Sequence, residues 1–103
     1  MENNNNSIYK NITTSGSSTT LIAKGSRADG SISKMLISNN STSTATVIVD
    51  LYDGSTVYYF CKNVRIPTGT SLVLEDNLMY DGSIYNLRIY NTGTSPDLTV
   101  IIK

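Results

Sequence analysis

The residues of this chain best suited to chemistry are the carboxylates of a four-residue segment that occurs twice. Tyr-Asp-Gly-Ser stands at residues 52–55 and again at 80–83, which gives Asp53 and Asp81 the same sequence neighbours. Such a repeat is expected for a duplicated ligand loop or for a turn that the fold needs in two places. A calcium loop requires several oxygen ligands at short spacing and a closing carboxylate. The next acid after Asp53 is Glu75, so we predict no metal site.

The repeated segment is better explained as a turn. Asp53-Gly54 lies between two runs of alternating apolar residues, and Asp-Gly in that position is typical of a two-residue type I′ hairpin. That turn needs positive φ at both central residues, which Asp tolerates and Gly adopts freely. We therefore predict a tight hairpin at Asp53-Gly54. At Asp81-Gly82 we predict a looser turn, because the preceding "EDNLM" is less regular.

Other candidates for catalysis lack the partners that their chemistry needs. Glu75, Asp76 and Asp81 are the densest acids, and paired carboxylates can hydrolyse glycosides. Such sites also need a concave sugar-binding surface, usually with tryptophan, and the chain contains no tryptophan. Cys61 is the single cysteine, and with no histidine in the chain it lacks an activating base. We expect no enzymatic activity and no cofactor, with Cys61 as a small core residue.

Seven tyrosines make an aromatic binding surface conceivable. Neighbouring residues of a strand point to opposite faces of the sheet, so Tyr58, Tyr59 and Phe60 do not form one stacking surface. Tyrosine is common on sheet faces and in protein interfaces. We therefore favour packing or subunit contact over ligand stacking. Whether Tyr52 and Tyr80, beside the repeated turns, face solvent or a partner stays open.

Composition excludes several classes of partner. Eight basic and eight acidic residues give zero net charge, and charged residues make up only 16% of the chain. Without a basic stripe we predict no nucleic-acid binding. The longest apolar runs are too short to span a bilayer, and the first residues do not have the pattern of a signal peptide. A polar surface of low charge suits contact with crowded neighbours.

The elements that position these residues are strands. No window has helical apolar spacing, whereas short runs of strand-forming residues alternate with Gly, Asn, Ser and Pro clusters. In "ATVIVDLYDG" one face receives Ala45, Val47, Val49 and Leu51, and the other receives Thr44, Thr46, Ile48 and Asp50. About eight such runs predict an all-β fold, a single antiparallel β-sandwich of jelly-roll or immunoglobulin-like type. Pro67 and Pro96 fall between the runs.

The first residues form a separate segment in this prediction. We place a polar N-terminal arm at residues 1–7 and the sandwich domain at 8–103. The run "ENNNN" is polar and of low complexity, so by itself in water it is expected to be disordered. We predict that the arm extends along a neighbouring protein. The partner-binding residues predicted on this basis are Glu2, Asn3, Asn4, Asn5, Asn6 and Tyr9.

From Thr44 onward the layout resembles small bacteriophage virion proteins, namely capsid decoration (cement) proteins and head- or tail-associated β-sandwich proteins. The resemblance is carried by four segments: Thr44–Val47, Val64–Leu74, Tyr85–Ile89 and Asp97–Val100. Two turns depart from it. The family often has Pro-Ala-Gly where this chain has Pro67-Thr68-Gly69, and a Gly-Asp pair where it has Asp81-Gly82-Ser83.

The resemblance implies a non-enzymatic structural protein. From the resemblance we first expect a capsid decoration protein. Such a protein would dock on the major capsid protein at the outer surface of the virion and would associate with itself. The alternatives are a tail, neck or baseplate component, or a carbohydrate-binding module for host attachment. The family has no catalytic residues to carry over to this chain.

Overall fold

A computed structural model describes residues 7–26, 32–75 and 79–103. Within these residues the chain forms eight β-strands and no helix. The strands are β1 (Ile8–Ile12), β2 (Ser18–Ile22), β3 (Met35–Asn39), β4 (Ala45–Tyr52), β5 (Val57–Ile66), β6 (Ser71–Leu74), β7 (Asn86–Thr92) and β8 (Leu98–Ile102). Each coincides with one of the runs that the sequence predicts, because the spacing of apolar residues and turn residues specifies both the strand and its ends.

The strands form two four-stranded antiparallel sheets. Sheet A has the order β1-β8-β3-β6, and sheet B has the order β2-β7-β4-β5. The strands pair in a nested order, in which the first strand pairs with the last and the second with the second-last. The four nested pairs are β1–β8, β2–β7, β3–β6 and β4–β5. The predicted β-sandwich is confirmed, and this nested order is that of a jelly roll rather than of an immunoglobulin domain.

The core lies between the inner faces of the two sheets. Alternate residues are buried in β3, β7 and β8, and also in β4 except that its outward residue Asp50 is buried as well. The fully buried apolar side chains of these strands are Met35, Ile37, Val47, Val49, Leu87, Ile89, Leu98, Val100 and Ile102. Burying one such side chain contributes about 1.5–3 kcal/mol. Because side chains alternate between the two faces of a sheet, the other half of each strand faces outward, and those outward residues are the candidates for function.

The hairpin predicted at Asp53-Gly54 is confirmed, but the prediction of a type I′ turn is wrong. Strand pairing ends at Tyr52 with Val57 opposite, which leaves a four-residue loop rather than a two-residue one. Gly54 has φ of 109°, whereas Asp53 is not among the positive-φ residues. The carboxylate of Asp53 accepts hydrogen bonds from the backbone N–H groups of Ser55 and Thr56. Side-chain bonding to the backbone therefore closes the loop, as is common for Asp in turns.

Two buried asparagines of the sandwich differ in their hydrogen bonding. Asn39 donates from Nδ2 to the carbonyl oxygens of Ser43 and Ile66, at 2.9 and 2.7 Å. Its Oδ1 accepts from the N–H and hydroxyl of Ser41, at 2.9 and 2.7 Å. Asn91, also fully buried, makes no side-chain hydrogen bond to any described residue. Asn39 thus links the β3–β4 loop to the end of β5. The Asn91 side chain is desolvated without a hydrogen bond to offset that free-energy cost.

Replacing each asparagine by leucine is expected to have opposite effects. Asn91→Leu removes an unpaired buried amide and should raise the free energy of unfolding by about 1–2 kcal/mol. Asn39→Leu removes the four hydrogen bonds of the Asn39 side chain and should lower the free energy of unfolding by about 2–4 kcal/mol. Urea denaturation followed by circular dichroism measures both. A loss of stability in Asn91→Leu as large as that in Asn39→Leu would contradict this account of the core.

Candidate functional site: the ends and outer faces of the sandwich

The two Tyr-Asp-Gly-Ser turns lie at the same end of the sandwich, since both Asp53 and Asp81 are near Tyr85. Burial raises the pKa of the Tyr85 hydroxyl above its ordinary value, and the nearby charges of Tyr58, Asp53 and Asp81 raise this pKa further. The rings of Tyr58 and Tyr85 meet edge to face, with centroids 5.8 Å apart. Asp81 accepts from the N–H and the hydroxyl of Ser83, as Asp53 does from Ser55. The repeated segment therefore forms two turns with the same aspartate–serine bonds. The next N–H differs, since that of Thr56 bonds to the Asp53 carboxylate and that of Ile84 bonds to the backbone carbonyl of Asp81.

These carboxylates have a structural role in the loops. Backbone N–H donors of Thr56 and Ser55 lower the pKa of Asp53, because they stabilise its charged form. In the part of the chain that the structure describes, no three Asp, Glu or Cys side chains come together as a metal site. Of the other predicted candidates, Glu75 lies 3.9 Å from Lys34 in an exposed ion pair, and Asp76 lies outside the described residues.

The lowered pKa of Asp53 predicts a pH-dependent loss of stability. Its contribution is complete above the unfolded pKa of about 3.9 and disappears as the pH falls through the lower folded value. Asp53→Ala should therefore have a lower Tm than the wild type near neutral pH, and the gap should narrow as the pH falls below about 3.9. Asp53→Asn, which retains the Oδ1 acceptor, should lie between them. Thermal melts at a series of pH values measure this, and a gap independent of pH would be inconsistent with it.

Sheet B presents an outer face rich in tyrosine and arginine, which we call the tyrosine–arginine face. Its outward side chains on the central strands β4 and β7 and on the edge strand β5 include Ile48, Asp50, Tyr52, Tyr59, Arg88 and Tyr90. Tyr59 stands opposite Asp50, while its neighbour Tyr58 stands opposite the inward Leu51. This confirms the prediction that Tyr58 and Tyr59 point to opposite faces.

An ion pair occupies the centre of this face. Arg88 Nε lies 2.9 Å from Asp50 Oδ1, and its second nitrogen contacts Oδ2 at 3.3 Å. The side chain of Asp50 is only 6% exposed and that of Arg88 20%. Alternation predicts that Asp50 points outward, and it does. Its burial comes from neighbours on the face rather than from the core. A paired arginine and carboxylate of this geometry is held rigidly.

Cations lie over two of the tyrosine rings. The Arg88 guanidinium carbon is 4.1 Å from the Tyr52 ring centroid, and Lys62 Nζ is 4.8 Å from that of Tyr59. Arg65, opposite Thr46, is exposed on the same face. Within the described residues neither Lys62 nor Arg65 has a carboxylate within ion-pair distance. The face therefore has a rigid neutral pair at its centre and two uncompensated positive charges along β5.

The outer face of sheet A has a different character. Four outward apolar side chains stand in register across its four strands, and we call them the apolar row: Tyr9 (β1), Ile101 (β8), Leu36 (β3) and Val73 (β6). Tyr9 is 62% and Val73 42% exposed, and the two central residues are half-buried. These side chains lie outside the core between the sheets, so part of their apolar surface stays exposed.

Polar rows border the apolar row on both sides. On one side stand Asn11, Thr99, Ser38 and Ser71, in the same cross-strand order. Thr99 and Asn40 link this row by hydrogen bonds, since Asn40 Nδ2 donates to Thr99 Oγ1 and Thr99 Oγ1 donates to Asn11 Oδ1, at 2.9 and 3.2 Å. On the other side stand Lys103, Lys34 and Glu75, just past the strand ends, where Lys34 and Lys103 exchange backbone hydrogen bonds.

Of the residues predicted to bind a partner, only Tyr9 is among those described. It lies at the β1 end of the apolar row. Glu2, Asn3, Asn4, Asn5 and Asn6 lie outside the described residues. Cys61 is half-buried against the core, and burial raises the pKa of its thiol, which makes the thiol a poorer nucleophile, consistent with the predicted packing role.

The two flanking tyrosines of the repeated segment have different surroundings. Tyr52 points outward beneath Arg88, and its hydroxyl donates to the carbonyl of Gly54 at 2.9 Å. Tyr80 is half-buried and packs edge to face on Phe60, with ring centroids 6.4 Å apart. Tyr52 thus belongs to the tyrosine–arginine face, and Tyr80 belongs to the packing of the sandwich.

Comparison with protein-family models and with curated proteins finds no match to the chain. The described part of the chain also contains no helix long and apolar enough to cross a bilayer. What the protein does is therefore inferred from the faces described above.

Removing one member of the central ion pair is expected to destabilise the fold. Arg88→Met leaves the buried Asp50 carboxylate unpaired and should lower the free energy of unfolding by about 2–3 kcal/mol, less than for a wholly buried pair because Arg88 is partly solvated. The double variant Asp50→Leu/Arg88→Met should regain most of this loss. Arg65→Met is the matched control and should change stability by no more than about 0.5 kcal/mol.

Chemical denaturation of the wild type, of Asp50→Leu, of Arg88→Met and of the double variant gives the coupling free energy between Asp50 and Arg88. Arg65→Met is measured in the same way. Equal and additive losses in Asp50→Leu and Arg88→Met would show that the pair does not act as a unit. A loss in Arg65→Met as large as that in Arg88→Met would show that positive charge on this face matters rather than the ion pair.

Proposed function

We propose that this chain is a non-enzymatic structural protein of a bacteriophage virion, a capsid decoration protein that docks on the major capsid protein. The observation that carries the proposal is the composition of the tyrosine–arginine face. Tyr and Arg are the residues most enriched at the energetically important centres of protein interfaces. Here they are held in place before binding, by the Asp50–Arg88 pair and by the cation over Tyr52.

The fold and the resemblance support the same class of function. Jelly rolls of eight strands are common among viral capsid proteins, although fold by itself does not define function. The resemblance of residues 44–103 to small phage virion proteins covers β4 to β8, which include the two central strands of the tyrosine–arginine face. Among the described residues no three Asp, Glu or Cys side chains cluster as ligands for a metal ion.

In this proposal the sandwich docks as a rigid block. Lys62 and Arg65 would meet carboxylates of the shell, and the tyrosines would fill shallow depressions beside them. The polar arm, residues 1–7, would extend along the capsid protein or a sister copy. Many modest contacts repeated by the symmetry of the shell give avidity without a large apolar surface. Zero net charge limits repulsion between neighbouring copies.

A carbohydrate-binding module for host attachment is the second candidate. Three tyrosines, Tyr52, Tyr59 and Tyr90, do share one outer face, as a glycan platform would require. Two of their rings already have a cation over one side, Arg88 on Tyr52 and Lys62 on Tyr59. That arrangement favours protein contact over sugar stacking. Binding of the isolated chain to a glycan array, with the same affinity whether or not the virion partner is present, would favour the carbohydrate-binding module instead.

The proposal is tested by reconstitution on particles of the phage that encodes the chain, grown without it. Lys62→Glu reverses a charge on the tyrosine–arginine face and should reduce particle occupancy at least about tenfold at subsaturating protein. Lys103→Glu makes the same charge change at the end of β8, in sheet A, and should leave occupancy unchanged. Deletion of residues 2–7 should leave the thermal melt intact and also reduce occupancy.

Quantitative gel analysis of sedimented particles gives the occupancy of each variant. Absence of binding by the wild-type chain would overturn the virion proposal. Equal occupancy for Lys62→Glu and Lys103→Glu would instead mean that another surface docks. Unchanged occupancy after the deletion would mean that the arm is not part of the contact.

A further inference from the structure

We infer that Asp53 is a site of spontaneous covalent modification, at which the aspartate isomerises to isoaspartate through a cyclic succinimide, and that the fold protects Asp81 from the same reaction. The reaction takes place in the isolated chain and does not depend on docking to a virion. Both aspartates stand in the same Tyr-Asp-Gly-Ser segment. A large difference in rate between them would therefore come from the fold, which holds the two reacting peptide groups differently.

The reaction joins an aspartate side chain to the backbone nitrogen of the next residue. The nitrogen of Gly54 attacks Cγ of the protonated Asp53 carboxyl group. The N–Cγ bond forms, and the amide proton and the carboxyl hydroxyl leave together as one water molecule. Water then opens the five-membered ring, either at Cγ, which restores aspartate, or at the backbone carbonyl, which leaves the chain running through Cγ as isoaspartate. Water is the only reagent, and glycine favours the attack because it has no Cβ.

The Asp53–Gly54 peptide group is free to make this attack. A peptide group is planar and must turn as a unit to bring its nitrogen against the carboxyl carbon. Among the described residues none bonds to the Asp53 carbonyl oxygen or to the Gly54 N–H. Gly54 is exposed, and apart from its chain neighbours no described atom lies within 4 Å of the position that a Cβ on it would occupy. The group can therefore rotate, and water can reach the ring.

The Asp81–Gly82 peptide group is held in place. The Asp81 carbonyl oxygen, which belongs to that group, accepts hydrogen bonds from the N–H groups of Ile84 and Tyr85, both at 3.1 Å. Gly82 is buried, and its own carbonyl accepts from the N–H of Gly25 at 2.7 Å. Rotation of the reacting group would have to break the first two bonds inside a buried turn. The fold thus opposes the attack at Asp81.

The hydrogen bonds to the two carboxylates do not reverse this order. Each carboxylate accepts from the N–H and the hydroxyl of the serine that follows the glycine. Such donors favour the charged carboxylate, and only the protonated form loses water, so both sites are slowed. Asp53 is slowed further by one bond, from the N–H of Thr56 at 2.8 Å. Two bonds on the reacting group and a buried glycine at Asp81 outweigh that single bond.

Isomerisation at Asp53 would reach the tyrosine–arginine face. The carboxylate that closes the loop would lose its backbone bonds, because the chain between Asp53 and Gly54 becomes longer by one carbon atom. The Gly54 carbonyl accepts the hydroxyl of Tyr52, and it would shift with the backbone. The Tyr52 ring lies beneath Arg88. The modification would therefore disturb a tyrosine that the proposed docking face contains.

Incubation of the folded full chain in heavy-oxygen water at mildly acidic pH tests the inference. Each passage through the ring leaves one heavy oxygen on the aspartyl residue, which peptide mapping by mass spectrometry measures at both sites. Asp53 should gain heavy oxygen and isoaspartate at least about tenfold faster than Asp81, the ratio expected when two backbone hydrogen bonds must break first. The chain unfolded in guanidinium chloride is the matched control. There the two sites should react at similar rates.

The variant Asp53→Glu checks the assignment of the site. Its longer side chain would need a larger ring, so most of the isoaspartate formed by the folded chain should disappear. Isoaspartate content unchanged in Asp53→Glu would overturn the inference. Equal rates at Asp53 and Asp81 in the folded chain, or a faster reaction at Asp81, would overturn it as well. So would a folded chain that stays unlabelled at Asp53 while the unfolded chain reacts, since the hairpin would then protect the site.

Discussion

Burial of alternate side chains between two four-stranded sheets is the constraint on which the rest of this structure depends. Because the chain has only short strands and no helix among its described residues, almost every apolar side chain at an inward position is needed for the core. The nested order of the jelly roll supplies this burial by pairing distant strands, β1 with β8 and β2 with β7. Sequence choice remains free only at the outward positions and in the loops.

The outward positions then distinguish the two sides of the molecule. Sheet B has tyrosines, a buried ion pair and two unpaired cations, whereas sheet A has an apolar row between polar borders. Neither face resembles a solvated surface of mixed charge. The same two-layer construction that makes a thin core also separates the two outer faces, so that their side chains can differ in character.

Much of the fold could be predicted from the sequence, because alternation such as that of Val47 and Val49 specifies both strand and face. The turn at Asp53 was predicted with the wrong geometry. An Asp-Gly pair favours a type I′ turn, but the side chain of Asp53 bonds to the backbone of Ser55 and Thr56 and stabilises a longer loop. Local sequence preference and side-chain bonding compete at such positions, and only the structure shows which prevails.

The candidate surfaces were harder to predict, because they are made by strands far apart in sequence. Arg88 and Asp50 meet across β7 and β4, and Leu36 and Ile101 meet across β3 and β8. The outward apolar residue in each of several strands was the available signal, but without the register their alignment into one row could not be inferred. Tyr9 was singled out for its place beside the arm, and the structure adds the row that it belongs to.

We propose that this sandwich docks on a virion shell as a rigid block, through its tyrosine–arginine face. A cryo-EM map of the intact particle of the encoding phage tests it most directly. We expect jelly-roll density on the outer capsid surface, in hundreds of copies, with sheet B turned toward the shell. Particles without such density, density only at the tail or neck in a dozen copies or fewer, or a tyrosine–arginine face turned to solvent would contradict it.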